Sequence, residues 1–260
     1  MRIERRIFRR TNLLFVVLCV LFLAPVVAPA QPPDVYTFVA QWAVPRDQWN
    51  AFTDFNEKNA RPVLERLYAN GTIVGWGNFA SIVHDESGMT HGTWWQAAGL
   101  ANIERVLGEL LKLPPNPAVA GAKHRDYLMR SLVRNAKASG PTGGYLWVSG
   151  TQVKSGKGQE WRDLWDKYTK PLYDELLAGG AITYYELETE HVHTDDPGWR
   201  YLVYITPTAD GADKVRAAGV ALSGKRGPET NRAIGNAFAE VTVPEAHRDF
   251  YARVLGYAVK

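Results

Sequence analysis

The chain repeats itself. At an offset of 109, Pro62-Val-Leu-Glu-Arg-Leu-Tyr-Ala-Asn-Gly71-Thr-Ile73 lies on Pro171-Leu-Tyr-Asp-Glu-Leu-Leu-Ala-Gly-Gly180-Ala-Ile182, and the match runs without a gap to Val83-His84 over Val192-His193. At an offset of 123, His124-Arg-Asp-Tyr127 lies on His247-Arg-Asp-Phe250, and Arg130 and Leu132 lie on Arg253 and Leu255. Two collinear matches mean two copies of one unit, the second with 14 more residues before its last element. The fold must then be one that a supersecondary unit builds by pairing with a copy of itself.

Each copy reads the same way. Tyr36-Thr-Phe-Val-Ala-Gln-Trp42 and Tyr145-Leu-Trp-Val-Ser149 alternate as strands do. Trp161, Leu164, Trp165, Tyr168, Leu172 and Leu176 recur at helical spacing on one face, matched more loosely by Trp49, Phe52, Phe55, Leu64 and Leu67. Pro62 and Pro171 predict a kink or restart inside each helical span, because proline lacks the donor and crowds the preceding turn. Gly71 and Gly180 predict the stops, since glycine adopts the left-handed conformation without a steric penalty. A strand (72–84 and 181–193), a turn (Asp85-Glu-Ser-Gly and Asp195-Asp-Pro-Gly) and a second strand (90–97 and 199–206) follow. A helix with Leu100, Ile103, Leu107, Leu110 and Leu111 on one side comes next, and the histidine-bearing segment closes the unit.

That order is β-α-β-β-α-β, a ferredoxin-like plait. One such sheet covers a single face with helices, so two copies can press their bare faces together. The fold class expected is therefore α+β, two fused ferredoxin-like repeats forming an intrachain α+β barrel. The expected organisation is a leader over 1–30, a first repeat over 31–134, a linker over 135–144 (Asn135-Ala-Lys-Ala-Ser-Gly-Pro-Thr-Gly-Gly144) and a second repeat over 145–260. This element order, with the aromatic-led kinked helix ending in glycine over Trp161 to Gly180, resembles the dimeric α+β barrel superfamily of antibiotic-biosynthesis-monooxygenase-like, EthD-like and NIPSNAP-like proteins. The resemblance implies a small molecule held between the halves and admits a cofactor-independent oxygenase. EthD-like members tend to carry a histidine before the helix proline, where this chain has Ala60-Arg61-Pro62 and Thr169-Lys170-Pro171.

Charge separates the ends of the chain. Residues 1–10 hold five arginines and one glutamate, an uncharged apolar run follows from Leu13 to Val27, and Ala28-Pro29-Ala30 closes it. Together these predict a secretory signal cut after Ala30, with a retained membrane anchor as the alternative. Removing residues 1–30 takes Lys+Arg from 30 to 25 and Asp+Glu from 27 to 26, so +3 becomes −1 and the single cysteine, Cys19, is lost. A near-neutral, thiol-free chain with no basic block argues against a nucleic-acid partner and against thiolate chemistry. The expected location is secreted or periplasmic, with no stable membrane span after cleavage.

Candidate site residues come from the strands. Alternation puts Trp76, Ile82 and His84 on one face of the second strand, and Tyr185, His191 and His193 on the equivalent face of its copy. That face is expected to line the cavity, together with Trp42 and Trp147. One conflict accompanies this choice: Glu186, Glu188 and Glu190 then fall on the helix side, where buried carboxylates are costly. His191-Val-His193 has the spacing of a metal-ligand pair on a strand but no third ligand, so polar strand-end residues are the alternative. His84 and His91 flank Ser87-Gly88 symmetrically, which in a two-residue hairpin would set them opposite each other. In His124-Arg-Asp126 and His247-Arg-Asp249 the histidine and aspartate share a face. They read either as a general base with its orienting carboxylate or, the favoured reading, as a polar ladder at the seam between the halves.

No phosphate loop, dinucleotide fingerprint, nucleophile elbow, zinc-protease helix or calcium loop occurs, and no cofactor is expected. Three functions stay open: an exported small-molecule-binding protein with an aromatic- and histidine-lined interior, a cofactor-independent oxygenase or related enzyme, and a non-catalytic structural or interaction module. The catalytic candidates, for the enzyme reading, are His193, His84, His124 and His247.

Overall fold

A computed structural model describes residues 33–83, 88–137, 139–193 and 197–260, with the side chains of 139–142 left aside. His84 and the proposed leader lie outside the described residues. In chain order the elements are β1 (Val35–Trp42), α1 (Trp49–Phe55), α2 (Arg61–Ala69), β2 (Gly75–Ser81), β3 (His91–Ala98), α3 (Leu100–Leu110), β4 (His124–Ala136), β5 (Ser139–Val153), α4 (Gly158–Tyr168), α5 (Lys170–Gly179), β6 (Tyr184–Glu190), β7 (Trp199–Thr206), α6 (Gly211–Arg226), α7 (Pro228–Val241) and β8 (Thr242–Val259).

Both helical spans break where proline requires. One π turn, Asn56–Ala60, joins α1 to α2, and Pro62 sits in the first turn of α2. Pro171 opens α5 in the same way after Thr169. In this position the missing donor costs nothing, because first-turn N–H groups have no intrahelical acceptor. Gly180 closes α5 at φ 78°, with its N–H on Leu177 O and the Ala181 N–H on Leu176 O, a Schellman stop. Gly71 has φ 81° at the matching place.

The strands form a closed barrel in the order β1-β3-β2-β8-β5-β7-β6-β4, every neighbouring pair antiparallel. The ring repeats after four strands: β1, β3, β2 and β4 map onto β5, β7, β6 and β8. Corresponding residues therefore come to the same end of the barrel on opposite walls. Only β2 against β8 and β4 against β6 cross between the halves, and they leave no open sheet edge. The 14 additional residues of the second half allow two helices, α6 and α7, where the first half has α3 alone.

Two expectations are corrected here. The 135–144 segment is not a free linker, because β4 runs to Ala136 and β5 begins at Ser139, pairing with Val259. A tight His84–His91 hairpin does not form either. Ala80 pairs with His91, so ten residues separate the paired positions, and His91 is buried against Trp49 and Phe52.

Three apolar clusters hold the layers. Leu64, Leu67, Ile73, Trp76, Trp95, Ile103 and Val106 fill the space between sheet and helices in the first half. Trp161, Trp165, Tyr173, Leu176, Ile182, Tyr185, Leu187 and Tyr204 do so in the second. The third cluster lies inside the barrel: Phe79, Trp94, Leu146, Tyr184, Ile205, Val254, Tyr257 and Val259. Burying each large apolar side chain contributes roughly 1.5–3 kcal/mol, so the helix layers are where most of the stabilisation lies. Among the described residues no helix is long and apolar enough to cross a membrane.

Candidate functional site

The barrel is not packed solid. It encloses a cavity of about 540 Å³, to which all eight strands contribute side chains. A volume of that order suits a small organic molecule. Its inner part is formed by Trp94, Gln96, Tyr184, Glu186, Glu188 and Ile205, and its outer part by Val83, Met89, Arg125, Tyr127, Tyr201, Arg248 and Asp249. The inner group is almost fully buried, with Glu186 and Gln96 each 1% exposed, whereas Arg248 and Asp249 are exposed. The cavity therefore opens at the end where β4 and β8 begin.

Strand alternation explains which side chains face inward. On β3, Trp94 and Gln96 point inward and Trp95 outward; on β6, Tyr184, Glu186 and Glu188 point inward, and Tyr185 and Leu187 outward. Trp94 fits because β2 offers it glycine. A Cβ on Gly77 would lie 2.6 Å from Trp94 Nε1.

A continuous set of polar groups closes the inner end. Arg134 donates from Nε to Gln96 Oε1 at 3.0 Å and from its two Nη atoms to Val74 O (3.0 Å) and Lys260 O (2.6 Å). Since Oε1 accepts from Arg134, the Gln96 amide turns its NH2 toward Thr37 Oγ1 (3.1 Å), Tyr184 Oη (2.8 Å) and Glu186. Tyr184 also donates to Glu186, and Thr37 donates to Glu188. With one exception, Glu186 Oε1, the buried polar groups here serve their neighbours, as desolvation demands.

The two carboxyls share this dry floor. Burial pushes Glu186 up from the ordinary carboxylate range, while Tyr184, Ser131, Arg134 and Gln96 hold it back. Glu188 is pushed up much further, first by burial and then by the neighbouring Glu186. Two adjacent carboxylates cannot both ionise cheaply in low dielectric, so the pair holds one proton to above the ordinary carboxylate range. It sits on Glu188, because Glu186 has the larger share of donors. Glu186 Oε1 has no hydrogen-bond partner among the described residues, and the protonated Glu188 carboxyl beside it can supply the missing donor. Burial, and then Glu186, also raises the Tyr184 phenol, which stays a donor.

The mouth derives from the second repeat match. Arg125 and Arg248, the middle residues of the two His-Arg-Asp triplets, stand on opposite walls. Arg125 donates to Tyr127 Oη at 2.9 Å, and the Arg248 guanidinium lies 4.2 Å from the Trp199 ring centroid. Glu190 accepts from Tyr201 at 3.2 Å.

The face expected to line the cavity is the opposite one. Trp76 and Tyr185 are fully buried on the helix side, Trp147 packs there on Tyr204, and Trp42 packs with Phe52 and His124 outside the barrel. The reason is that only the helices supply enough apolar partners for these rings. His191 and His193 are exposed beyond the end of β6, His191 edge-on to Tyr36, and neither reaches the cavity. Among the described residues no group of three metal-ligating side chains occurs. His124 and His247 do pair with Asp126 (2.9 Å) and Asp249 (3.0 Å), as their spacing predicts. They are not at the seam, however: His124 pairs with Trp42 and His247 with Thr151, each within its own half. The catalytic candidates His193, His124 and His247 thus lie outside the inner cavity.

Sequence reasoning missed Glu186, Glu188, Gln96 and Tyr184 as a site. The signal was present in two places. Tyr184-x-Glu-x-Glu-x-Glu190 repeats every second residue, and Gly75-x-Gly77 marks where β2 must let a large side chain cross.

No protein-family model matches the chain, and no curated protein matches its sequence. Solved structures do match. A "putative monooxygenase" of Lactobacillus acidophilus NCFM superposes with a TM-score of 0.59 at 9% identity, over 87% of this chain and 96% of that one. A second protein of that description, from Fusobacterium nucleatum subsp. nucleatum, gives 0.62 at 10%, over 88% and 95%. An anthrone oxidase-like protein gives 0.51 at 11%, over 89% and 95%. At such identities the likeness concerns fold alone: this chain has the fold of the dimeric α+β barrel superfamily, with one polypeptide supplying all eight strands.

Proposed function

We propose that the protein is an exported small-molecule-binding barrel, built from two fused ferredoxin-like halves, whose ligand enters past Arg125 and Arg248 and places a polar group against Glu186 and Glu188. The observation that carries this reading is the 540 Å³ cavity ending on a buried carboxyl pair. A structural module with a filled barrel would have no reason to keep two carboxyls in so costly a place. The repeated strand order, β4-β1-β3-β2 and β8-β5-β7-β6, supports the two halves, and the arginine-rich, apolar, A-x-A-terminated leader supports export.

Native mass spectrometry of protein purified from its own host tests the binding reading. The wild type is expected to carry a small molecule that Val203→Trp, which fills the cavity from β7, does not. A wild type that carries nothing and shows no ligand-induced rise in Tm across a broad library would sink it.

A second reading is an enzyme. Glu188, holding its proton well above the ordinary carboxylate range, is a positioned acid, and Glu186 beside it is its complementary base. Two of the structures sharing the fold are named as monooxygenases, which keeps a cofactor-independent oxygenase or related small-molecule enzyme in view. Under this reading Glu188→Gln abolishes turnover of the molecule found above with the fold intact; full turnover in that variant rules the acid–base role out.

A further inference from the structure

We propose that the cavity floor is a receptor for an organic ammonium group, which binds by exchanging with the proton shared by Glu186 and Glu188. This rests on the small-molecule reading above and names the ligand class.

The argument starts from a charge count. The floor holds two carboxyls, Glu186 and Glu188, and one guanidinium, Arg134. One further positive charge makes it neutral. A proton held between the two carboxyls supplies that charge in the free protein, and a cationic nitrogen can supply it instead. A neutral donor or an anion cannot, because either would leave the proton in place or demand a second one.

The geometry agrees with the count. Glu186 is 1% exposed, lines the cavity, and has one oxygen, Oε1, with no hydrogen-bond partner among the described residues. The proton of Glu188 serves it in the free protein; Oε1 itself is sealed from the cavity, so the N–H of a bound molecule reaches it as the Glu186 carboxyl turns on binding. The walls above are aromatic, with Trp94, Phe79, Tyr127 and Tyr201 all facing the cavity. Aromatic faces attract a desolvated cation. The remaining charged and titratable groups facing this volume are Tyr184 on β6, Arg125 and Tyr127 on β4, Tyr201 on β7, and Arg248 and Asp249 on β8. The two arginines flank the mouth, on the outer part of the cavity, so they do not compete for the floor.

Atoms balance simply. The ammonium N–H groups donate to Glu186 and Glu188, and the Glu188 proton leaves to solvent, so one proton is released per ligand bound. Benzylammonium, benzyl alcohol and benzoate are probes of matched size. Calorimetry of the full chain with each, in two buffers of different ionisation enthalpy, reads both affinity and proton release. Benzylammonium is expected to bind best, to release close to one proton, and to tighten with rising pH, by up to about tenfold per pH unit, until the free protein itself loses that proton. In Glu188→Gln the release and the pH dependence are expected to vanish. Preference for benzyl alcohol or benzoate, or benzylammonium binding without proton release, overturns the inference while leaving the small-molecule reading standing. If none of the three binds and nothing co-purifies with the native protein, both fall.

Discussion

Replacing Glu188 with glutamine isolates the energetic role of the buried pair. Glutamine keeps the shape, can accept from Thr37 and can donate its NH2 to Glu186 Oε1, so it reproduces the protonated acid in permanent form. In the wild type the folded protein holds the Glu188 proton to a higher pH than the unfolded chain, whose carboxyl titrates near 4.5. The stabilisation is therefore complete at low pH. It is lost as pH rises above the unfolded value, until the folded carboxyl itself ionises. One proton corresponds to a slope of at most about 1.4 kcal/mol per pH unit over the range in which only the unfolded chain is ionised. The variant lacks this slope, and Glu186, freed of its neighbour's carboxyl, ionises more easily and reduces the rest. Urea unfolding at several pH values, with the m-value checked for constancy, measures the effect. The two proteins should be close in stability at pH 5, with the variant the more stable by pH 7. Parallel stability–pH curves for both proteins would refute the shared proton. A variant destabilised at every pH would show that Glu188 works ionised.

Further outcomes follow from the same geometry. Gly92→Ala would place a Cβ 2.8 Å from the Ala40 backbone oxygen, so β1 itself must move, and chemical denaturation should show a loss of roughly 1–3 kcal/mol. Trp76→Ala empties a fully buried site under α2 and is expected to cost roughly 3–5 kcal/mol, read from the same curves, while ligand affinity per folded molecule stays unchanged. His193→Ala, at an exposed position beyond β6, should change stability by less than about 0.5 kcal/mol and leave metal content and ligand binding as in the wild type.

Much of the architecture was legible in the residues because local rules and tertiary structure agree there. Pro62, Pro171, Gly71 and Gly180 act through backbone geometry alone, so they restart and end helices wherever the chain places them. The repeat announced a second unit, and the strands duly return in the same order four places round the ring. The segment at 135–144 misled because its glycines and proline are ordinary linker residues, yet barrel closure draws that backbone into pairing with β8.

The candidate site was half legible. Alternation along β6 separates Tyr185 and Leu187 from Glu186 and Glu188 without any structure at all. It does not say which set turns inward, because period two is symmetric between the two faces. The polar set looked misplaced only on the assumption that the aromatic face lines the cavity. Histidines drew attention as the residues that titrate near neutrality, but His191 and His193 lie beyond the strand that would have aimed them inward.

By itself, then, the sequence determined the helix breaks and the two-face pattern of the strands, since these depend on contacts within a few residues. Only the tertiary structure decided which face became the interior. The helices could cover only one face of the sheet and claimed the one bearing Trp76, Trp95, Tyr185 and Leu187. Barrel closure then enclosed what remained, bringing Thr37, Gln96, Arg134 and Glu186, from four strands distant in the chain, within hydrogen-bonding reach of one another.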